Sequence, residues 1–250
     1  HCSSCSFEDD DDDDDGKVEL VLASASPRRR EILGMMGLAE GVHFSVEPSP
    51  LDESKLQAEL RGSVSPVDYT LRLAEAKASA LADARCRTTS GDDGGDGGGS
   101  VVVVRRRFVL GSDTIVELDG AILEKPKDEA DAGRMIRAMR GKRHRVHTGV
   151  ALYRLDERRE GGDATVTATT LVGSFVDTAS VAFADLTDED VDAYVRSGEP
   201  MDKAGSYGIQ GIGGQLVTEI RGDFFTVMGL PMHRTSKLIA EALLVLLRSE

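Results

Sequence analysis

Cysteine is scarce, with three in 250 residues (Cys2, Cys5 and Cys86). That is too few for a disulfide framework, and Cys2-x-x-Cys5 has no second ligand pair near it, which argues against a zinc knuckle. Long hydrophobic runs are missing too. No stretch of 18 apolar residues occurs, and the densest, Leu238 to Leu247, is broken by Glu241, so no membrane span is expected. Positive charge is outweighed: 30 Lys and Arg face 44 Asp and Glu, for a net charge of -14. The chain therefore has no electrostatic footprint for DNA or RNA. There is no fixed-period repeat and no G-x-x-x-x-G-K-[ST], which disfavours a P-loop kinase or GTPase. The opening carries neither the basic nor the apolar region of a secretory signal, and a chain starting on His1 is expected to be processed or a piece. Together with the cysteine usage, this makes the cytoplasm the expected location.

The acidity is concentrated. Glu8 and the run Asp9 to Asp15 carry eight of the fourteen excess negative charges, and Thr88 to Ser100 (TTSGDDGGDGGGS) carries three, which leaves three for the rest. Like charges in series repel, and a Gly/Asp/Ser tract loses too much backbone entropy on ordering. Both segments read as disordered, an arm over 1–16 and an insertion over 88–100. Residues 17–250 are expected to form one domain, long enough to bury a core.

Val18 to Ser24 is β-rich and runs into Ser26-Pro27-Arg28-Arg29, with Gly37 placed to end a helix, so strand, tight turn and Ser-capped helix are predicted. A short strand follows at His43 to Pro48, and Leu51-Asp52-Glu53 reads as an acidic loop. Ser65 opens a helix in which Val67, Leu71, Ala74, Ala78 and Leu81 recur at helical spacing. A strand from Phe108 reaches Gly111-Ser112-Asp113-Thr114-Ile115, turns at Asp119-Gly120 and returns over Ala121 to Lys125. Asp128 caps a helix to Gly141, His144 to Tyr153 and Thr170 to Ala184 read as long strands, and Thr187 caps a helix to Gly198. Gln215 to Ile220 and Phe224 to Met228 are expected to form a hairpin, and Pro231 starts the last helix, to about Arg248. The class is α/β or α+β with a mixed sheet.

Several clusters carry chemistry. Ser24 to Arg29 brings hydroxyls, helix N–H groups and guanidiniums together where a strand feeds a helix, an arrangement suited to phosphate; by pattern it equally fits a capped helix with solvated arginines. Around the Asp119-Gly120 turn, Asp113 and Glu124 fall on one sheet face as diagonal neighbours, roughly 7 to 8 Å apart, where both could meet one hard cation. Thr114 and Lys125 fall on the other face, so a site using Asp113 and Lys125 together needs a twist or bulge, which Pro126 allows; the alternative is an edge hairpin with a surface ion pair. Lys77 borders its helix's apolar stripe, where lysines usually snorkel. His144 and His147 alternate wrongly for a shared face and lack a third ligand, so they read as structural or surface residues, Arg105 to Arg107 as a solvated strand start, and Arg221-Gly222-Asp223 as a hairpin turn. Gly198 to Gly214 interleaves six glycines with an acid, a lysine, Tyr207 and Gln210, whose amide suits the edge of a base.

These motifs, in this order, resemble the Maf family of nucleoside triphosphate pyrophosphatases, including the Maf-like domain joined to a methyltransferase-like domain in animals. The likeness rests on Ala23-Ser24-Ala25-Ser26-Pro27-Arg28-Arg29, Leu73-Ala74-x-x-Lys77-Ala78, Gly111 to Val116, Leu123-Glu124-Lys125-Pro126, His147-Thr148-Gly149-Val150 and the Gly198 to Gly211 loop. It implies an elongated mixed sheet with flanking helices, two lobes around a cleft, and a homodimer. It also implies hydrolysis of a nucleoside triphosphate between the α and β phosphates with Mg²⁺ or Mn²⁺. By the same likeness Asp113 is the proton acceptor, Arg28, Thr114 and Gln210 serve base selectivity, and Ser24, Arg29, Glu53, Lys77 and Lys125 serve phosphate or metal. Asp113, with Glu53 and Glu124, is the expected metal cluster. The wording from Asp202 to Gly211 resembles the branch acting on dTTP and UTP, including modified pyrimidines. Ser112 departs from the more usual Ala. The alternatives are a nucleotide-binding regulator that cleaves nothing, and a purine pyrophosphatase of the ITP/XTP type.

Overall fold

Alternation along the first strand decides which helices cover the sheet. The computed structural model describes residues 18–88, 103–160 and 163–248. In β1 (Val18–Leu22), Leu20 and Leu22 point to one face and Val21 to the other. The first pair joins Phe108, Leu110, Val150 and Leu152 in a core closed by α1 (Pro27–Met35) and α7 (Met232–Leu247). On the opposite face Val21 meets Val109, Ala151 and Leu155 under Ala78, Leu81 and Ala82 of α3 (Pro66–Thr88). A third core joins α4 (Glu129–Met139) and α5 (Asp188–Arg196) to Val116, Leu123, Val146 and Phe183.

Among the described residues the sheet has seven strands, ordered β2 (Phe44–Val46), β1, β3 (Val103–Leu118), β5 (Arg143–Glu160), β6 (Asp163–Phe183) and β7 (Val217–Arg221), with β4 (Ala121–Leu123) on the end of β3. β1 runs parallel to β2 and β3, and the remaining pairs are antiparallel. This is the mixed sheet expected. Asp119 and Gly120 both take positive φ, 51° and 83°, and pair Leu118 with Ala121 in the two-residue turn read from the sequence. The caps at Asp128 and Thr187 form, the latter as a full capping box with Asp190. Ser26 precedes α1, but its side chain makes no cap; its N–H instead donates to Ser24 Oγ at 3.2 Å.

Further expectations are corrected. The strands expected from Phe108, over His144 to Tyr153 and over Thr170 to Ala184 are longer than read: β3 starts at Val103, β5 runs to Glu160 and β6 starts at Asp163, with polar residues joining the ladder as Glu19 does opposite Arg107. The acidic loop at Leu51-Asp52-Glu53 opens helix α2 (Glu53–Leu60), whose N-cap Asp52 accepts the Ser54 N–H at 3.3 Å. Phe224 to Met228 is no strand but a one-turn helix, α6, capped by Asp223 and ended at Gly229 with φ 116°. Arg221-Gly222-Asp223 therefore joins β7 to α6 rather than turning a hairpin. The arm at 1–16 and residues 89–100 of the expected insertion lie outside the described residues; Thr88 closes α3.

One gap in the sheet positions the site. β1 pairs with β3 only as far as Leu110, and β4 pairs with it only from Val116. On that edge residues 111–115 have no partner strand among the described residues, so side chains from both faces of β3 reach one opening. The opening lies off the carboxyl end of β1, where α1 begins, a usual place for a ligand crevice in open α/β sheets.

Candidate active site

The opening is a cavity of about 490 Å³ between the cores. Its floor is an ion triad. Lys77 Nζ donates to Asp113 Oδ1 at 2.7 Å and lies 2.8 Å from Glu53 Oε2. Lys77 and Asp113 are each about 8% exposed, so the lysine is a buried cation between two carboxylates and not a snorkelling side chain. Close packing sets this contact. α3 lies so near β3 that a Cβ on Gly111 would fall 2.4 Å from the Ala74 carbonyl oxygen, one turn before Lys77. α2 presents Glu53 and, a turn later, Gln57 to the same cavity.

The strand-to-helix turn forms one wall. Arg29 Nη1 donates to Ser24 Oγ at 2.9 Å, Nε to the Gly229 carbonyl at 2.9 Å and Nη2 to Thr114 Oγ1 at 3.2 Å. Burial lowers its pKa, opposed by Asp113, yet an arginine keeps its charge across the physiological range. Arg29 thus organises Ser24 and Thr114 as much as it supplies charge. Thr114 also meets Thr148 at 3.0 Å, and Thr148 donates to the Thr226 carbonyl at 2.7 Å. The unforeseen α6 is what brings the carbonyls of 226 and 229 into place. Ser112 fits here as well: its buried hydroxyl donates to the Gly229 carbonyl at 3.0 Å.

The opposite wall is the glycine-rich loop. Arg28 Nη1 lies 2.9 Å from Asp202 Oδ2, and Lys203 Nζ donates to Asp202 Oδ1 at 2.6 Å. Burial would raise the Asp202 carboxyl, but Lys203 and Arg28 hold it below the ordinary range. Gln210 lines the cavity with an exposed amide. Lys125 lines it too, because the chain leaves β4 after Leu123 and the strand alternation that set Lys125 apart from Asp113 no longer applies.

Every residue singled out from the sequence for substrate or metal lines this cavity: Ser24, Arg28, Arg29, Glu53, Lys77, Asp113, Thr114, Glu124, Lys125 and Gln210. Asp113 and Glu124 are nevertheless held by different partners. Arg61 and Tyr69 both donate to the Glu124 carboxylate, and Glu124 in turn raises the pKa of the Arg61 guanidinium. Asp202, Lys203 and Gln57 also line the cavity without having been assigned a part. Helical spacing from Glu53 would have found Gln57 had α2 been recognised. The histidines are structural, as read. His144 Nε2 meets Tyr207 Oη at 2.8 Å, and His147 bridges Thr178 and Glu117, each at 2.8 Å.

Among the described residues no group of three or more His, Cys, Asp or Glu forms a metal cage. Asp113 and Glu53, both within reach of one ammonium, are instead a two-carboxylate donor set. That suits Mg²⁺ or Mn²⁺ when phosphate and water supply the other oxygens. No described helix is long and apolar enough to cross a membrane.

Comparison with known proteins identifies the family. The profile of the family described as Maf-like protein matches residues 19–242. A Shewanella sp. (strain MR-7) protein named dTTP/UTP pyrophosphatase is 44% identical over 226 residues, covering 90% of this chain and 98% of that protein. Proteins of the same name from Anaeromyxobacter dehalogenans (strain 2CP-C) and Vibrio cholerae are 42% and 40% identical, covering 89% and 88% of this chain and 93% and 96% of their own lengths. Matched over nearly its whole described length, the chain belongs to the Maf family.

Proposed function

We propose that this chain is a nucleoside triphosphate pyrophosphatase that hydrolyses dTTP and UTP, and modified pyrimidine triphosphates, to the monophosphate and pyrophosphate. The observation that carries the reading is the Lys77–Asp113–Glu53 triad on the floor of a cleft with hydroxyl and guanidinium groups on one wall and an exposed glutamine amide on the other. The names of the relatives support it. Five cationic side chains and four carboxylates line the cleft, so the chain alone nearly balances its own charge and leaves a polyanion in need of a counterion.

In this reading Asp113 and Glu53 would hold a Mg²⁺ or Mn²⁺ ion, which would offset phosphate charge and lower the pKa of water. Asp113 orients a water molecule and accepts its proton as the oxygen bonds to the α-phosphorus and the bond to the bridging oxygen breaks. Lys77, Lys125 and Arg29 offset the charge growing on the departing pyrophosphate. Ser24 and the first turn of α1 seat the phosphates, while Arg28, Thr114 and Gln210 read the base. The reading takes the enzyme to work in the cytoplasm as a homodimer, with no nucleic acid or membrane partner. A panel of common and modified triphosphates, assayed with Mg²⁺ for pyrophosphate and phosphate separately, tests it. Pyrophosphate from dTTP and UTP ahead of purines is the expected result; binding without cleavage, or preference for ITP or XTP, overturns it.

A further inference from the structure

Gln210 stands near the tip of a segment with glycines at 208, 211, 213 and 214. Such a backbone has many conformations to lose, so an amide carried on it reads a base only if something holds the loop. Both ends of the loop are tied to one carboxylate–phenol pair behind it. Tyr194 Oη accepts the Gly208 N–H at 3.1 Å. Glu199 Oε2 accepts the Ile212 N–H at 2.8 Å, and Oε1 accepts the Gly213 N–H at 3.0 Å and the Tyr194 hydroxyl at 3.0 Å. Lys203 fixes the base of this post by donating to the Glu199 carbonyl at 2.6 Å. The fit is close, since a Cβ on Gly211 would lie 2.4 Å from Glu199 Oε2. Glu199 itself does not line the cavity.

We propose that Glu199 is a positioning residue that fixes the base-reading amide of Gln210 and so sets the preference of the site for pyrimidine over purine triphosphates. This deepens the pyrophosphatase reading and rests on it. Charge-assisted bonds to two adjacent amides hold the loop more tightly than neutral ones would. Their loss frees Gln210 while leaving the Lys77–Asp113–Glu53 floor untouched.

The test compares the full chain with E199A, E199Q and Y194F. Measured are kcat and KM for UTP and ATP with Mg²⁺, calorimetric binding of the non-hydrolysable α,β-imido analogues of both, and competition by inorganic pyrophosphate. In E199A the KM for UTP rises about 10- to 100-fold and the UTP-over-ATP preference falls by about as much, as expected for lost hydrogen bonds to a charged group. Pyrophosphate competition stays unchanged. E199Q, which keeps one acceptor oxygen, lies between, and Y194F moves the same way by less. An unaltered preference, or equal weakening of UTP, ATP and pyrophosphate, overturns the proposal by making the role merely structural. If E199A does not fold, E199Q and Y194F decide it. Should the wild type bind the UTP analogue without releasing pyrophosphate, the pyrophosphatase reading fails while the binding preference still judges Glu199. A wild type with no pyrimidine preference in binding or turnover overturns the Glu199 role.

Discussion

Replacing Lys77 with methionine keeps most of its length and removes its charge, which leaves Asp113 buried beside Glu53 with no ammonium between them and only the more distant Arg29 acting on both. In the intact protein the ammonium lies 2.7 Å from one carboxylate and 2.8 Å from the other. Glu53 keeps 42% of its side-chain exposure, so solvent screens its share to about 1 kcal/mol or less. Asp113 is 11% exposed by side chain, and removing the partner of such a group costs about 3–5 kcal/mol. K77M should therefore lose about that much stability in urea denaturation at pH 7, mostly through Asp113. If that is the cause, D113N in the K77M background removes the stranded charge and recovers part of the loss, giving a coupling of about 2–3 kcal/mol in the double-mutant cycle. A coupling under about 0.5 kcal/mol would mean that Lys77 does not compensate a buried Asp113, and the description of the cleft floor would be wrong.

D113N on its own keeps the shape of the site but cannot take up a proton; turnover should fall about 10²- to 10⁴-fold while nucleotide binding is largely retained, and near-normal turnover would refute the base assignment. Gly111→Ala drives a methyl against the Ala74 carbonyl and should cost about 1–3 kcal/mol together with activity, because α3 must shift and carry Lys77 with it; thermal melting and initial rates check both. Burial, with Arg143 nearby, pushes the His144 pKa down to about 4, against about 6.5 in the unfolded chain. Below pH 6.5 the unfolded state then binds the extra proton, so this contribution is complete above pH 6.5 and lost as pH falls toward 4, by about 3 kcal/mol in all. H144Q should flatten that limb of the stability profile, and an unchanged limb would exclude His144 as its source.

What was legible from the sequence was local. Caps at Asp128 and Thr187, the Asp119-Gly120 turn and Gly37 at a helix end each act within a few residues, and each is where it was read. The misreadings come from competition between local signals and from distance. Phe224 to Met228 is aromatic and β-branched enough to read as a strand, yet Asp223 capping and the left-handed Gly229 wind it into a turn of helix. Lys77 sits where helical spacing puts it, but its burial depends on Asp113, 36 residues away, and on Glu53, whose helix was hidden in an acidic stretch. The Asp119-Gly120 turn is legible, but the sequence does not show that β4 stops at Leu123, opposite Val116, and gives Glu124 to Arg61 and Tyr69 instead of pairing it across the ladder. The gap in the sheet that lets opposite faces of β3 share one cleft is a property of three strands together.

Hydrolysis of UTP in ¹⁸O-labelled water, with both products analysed by mass, puts the attacking oxygen on record. Attack at the innermost phosphorus predicts that the heavy atom appears in UMP and that the pyrophosphate stays unlabelled. Label in the pyrophosphate, or release of labelled orthophosphate in its place, would contradict the assignment of Asp113 to a water aimed at that phosphorus.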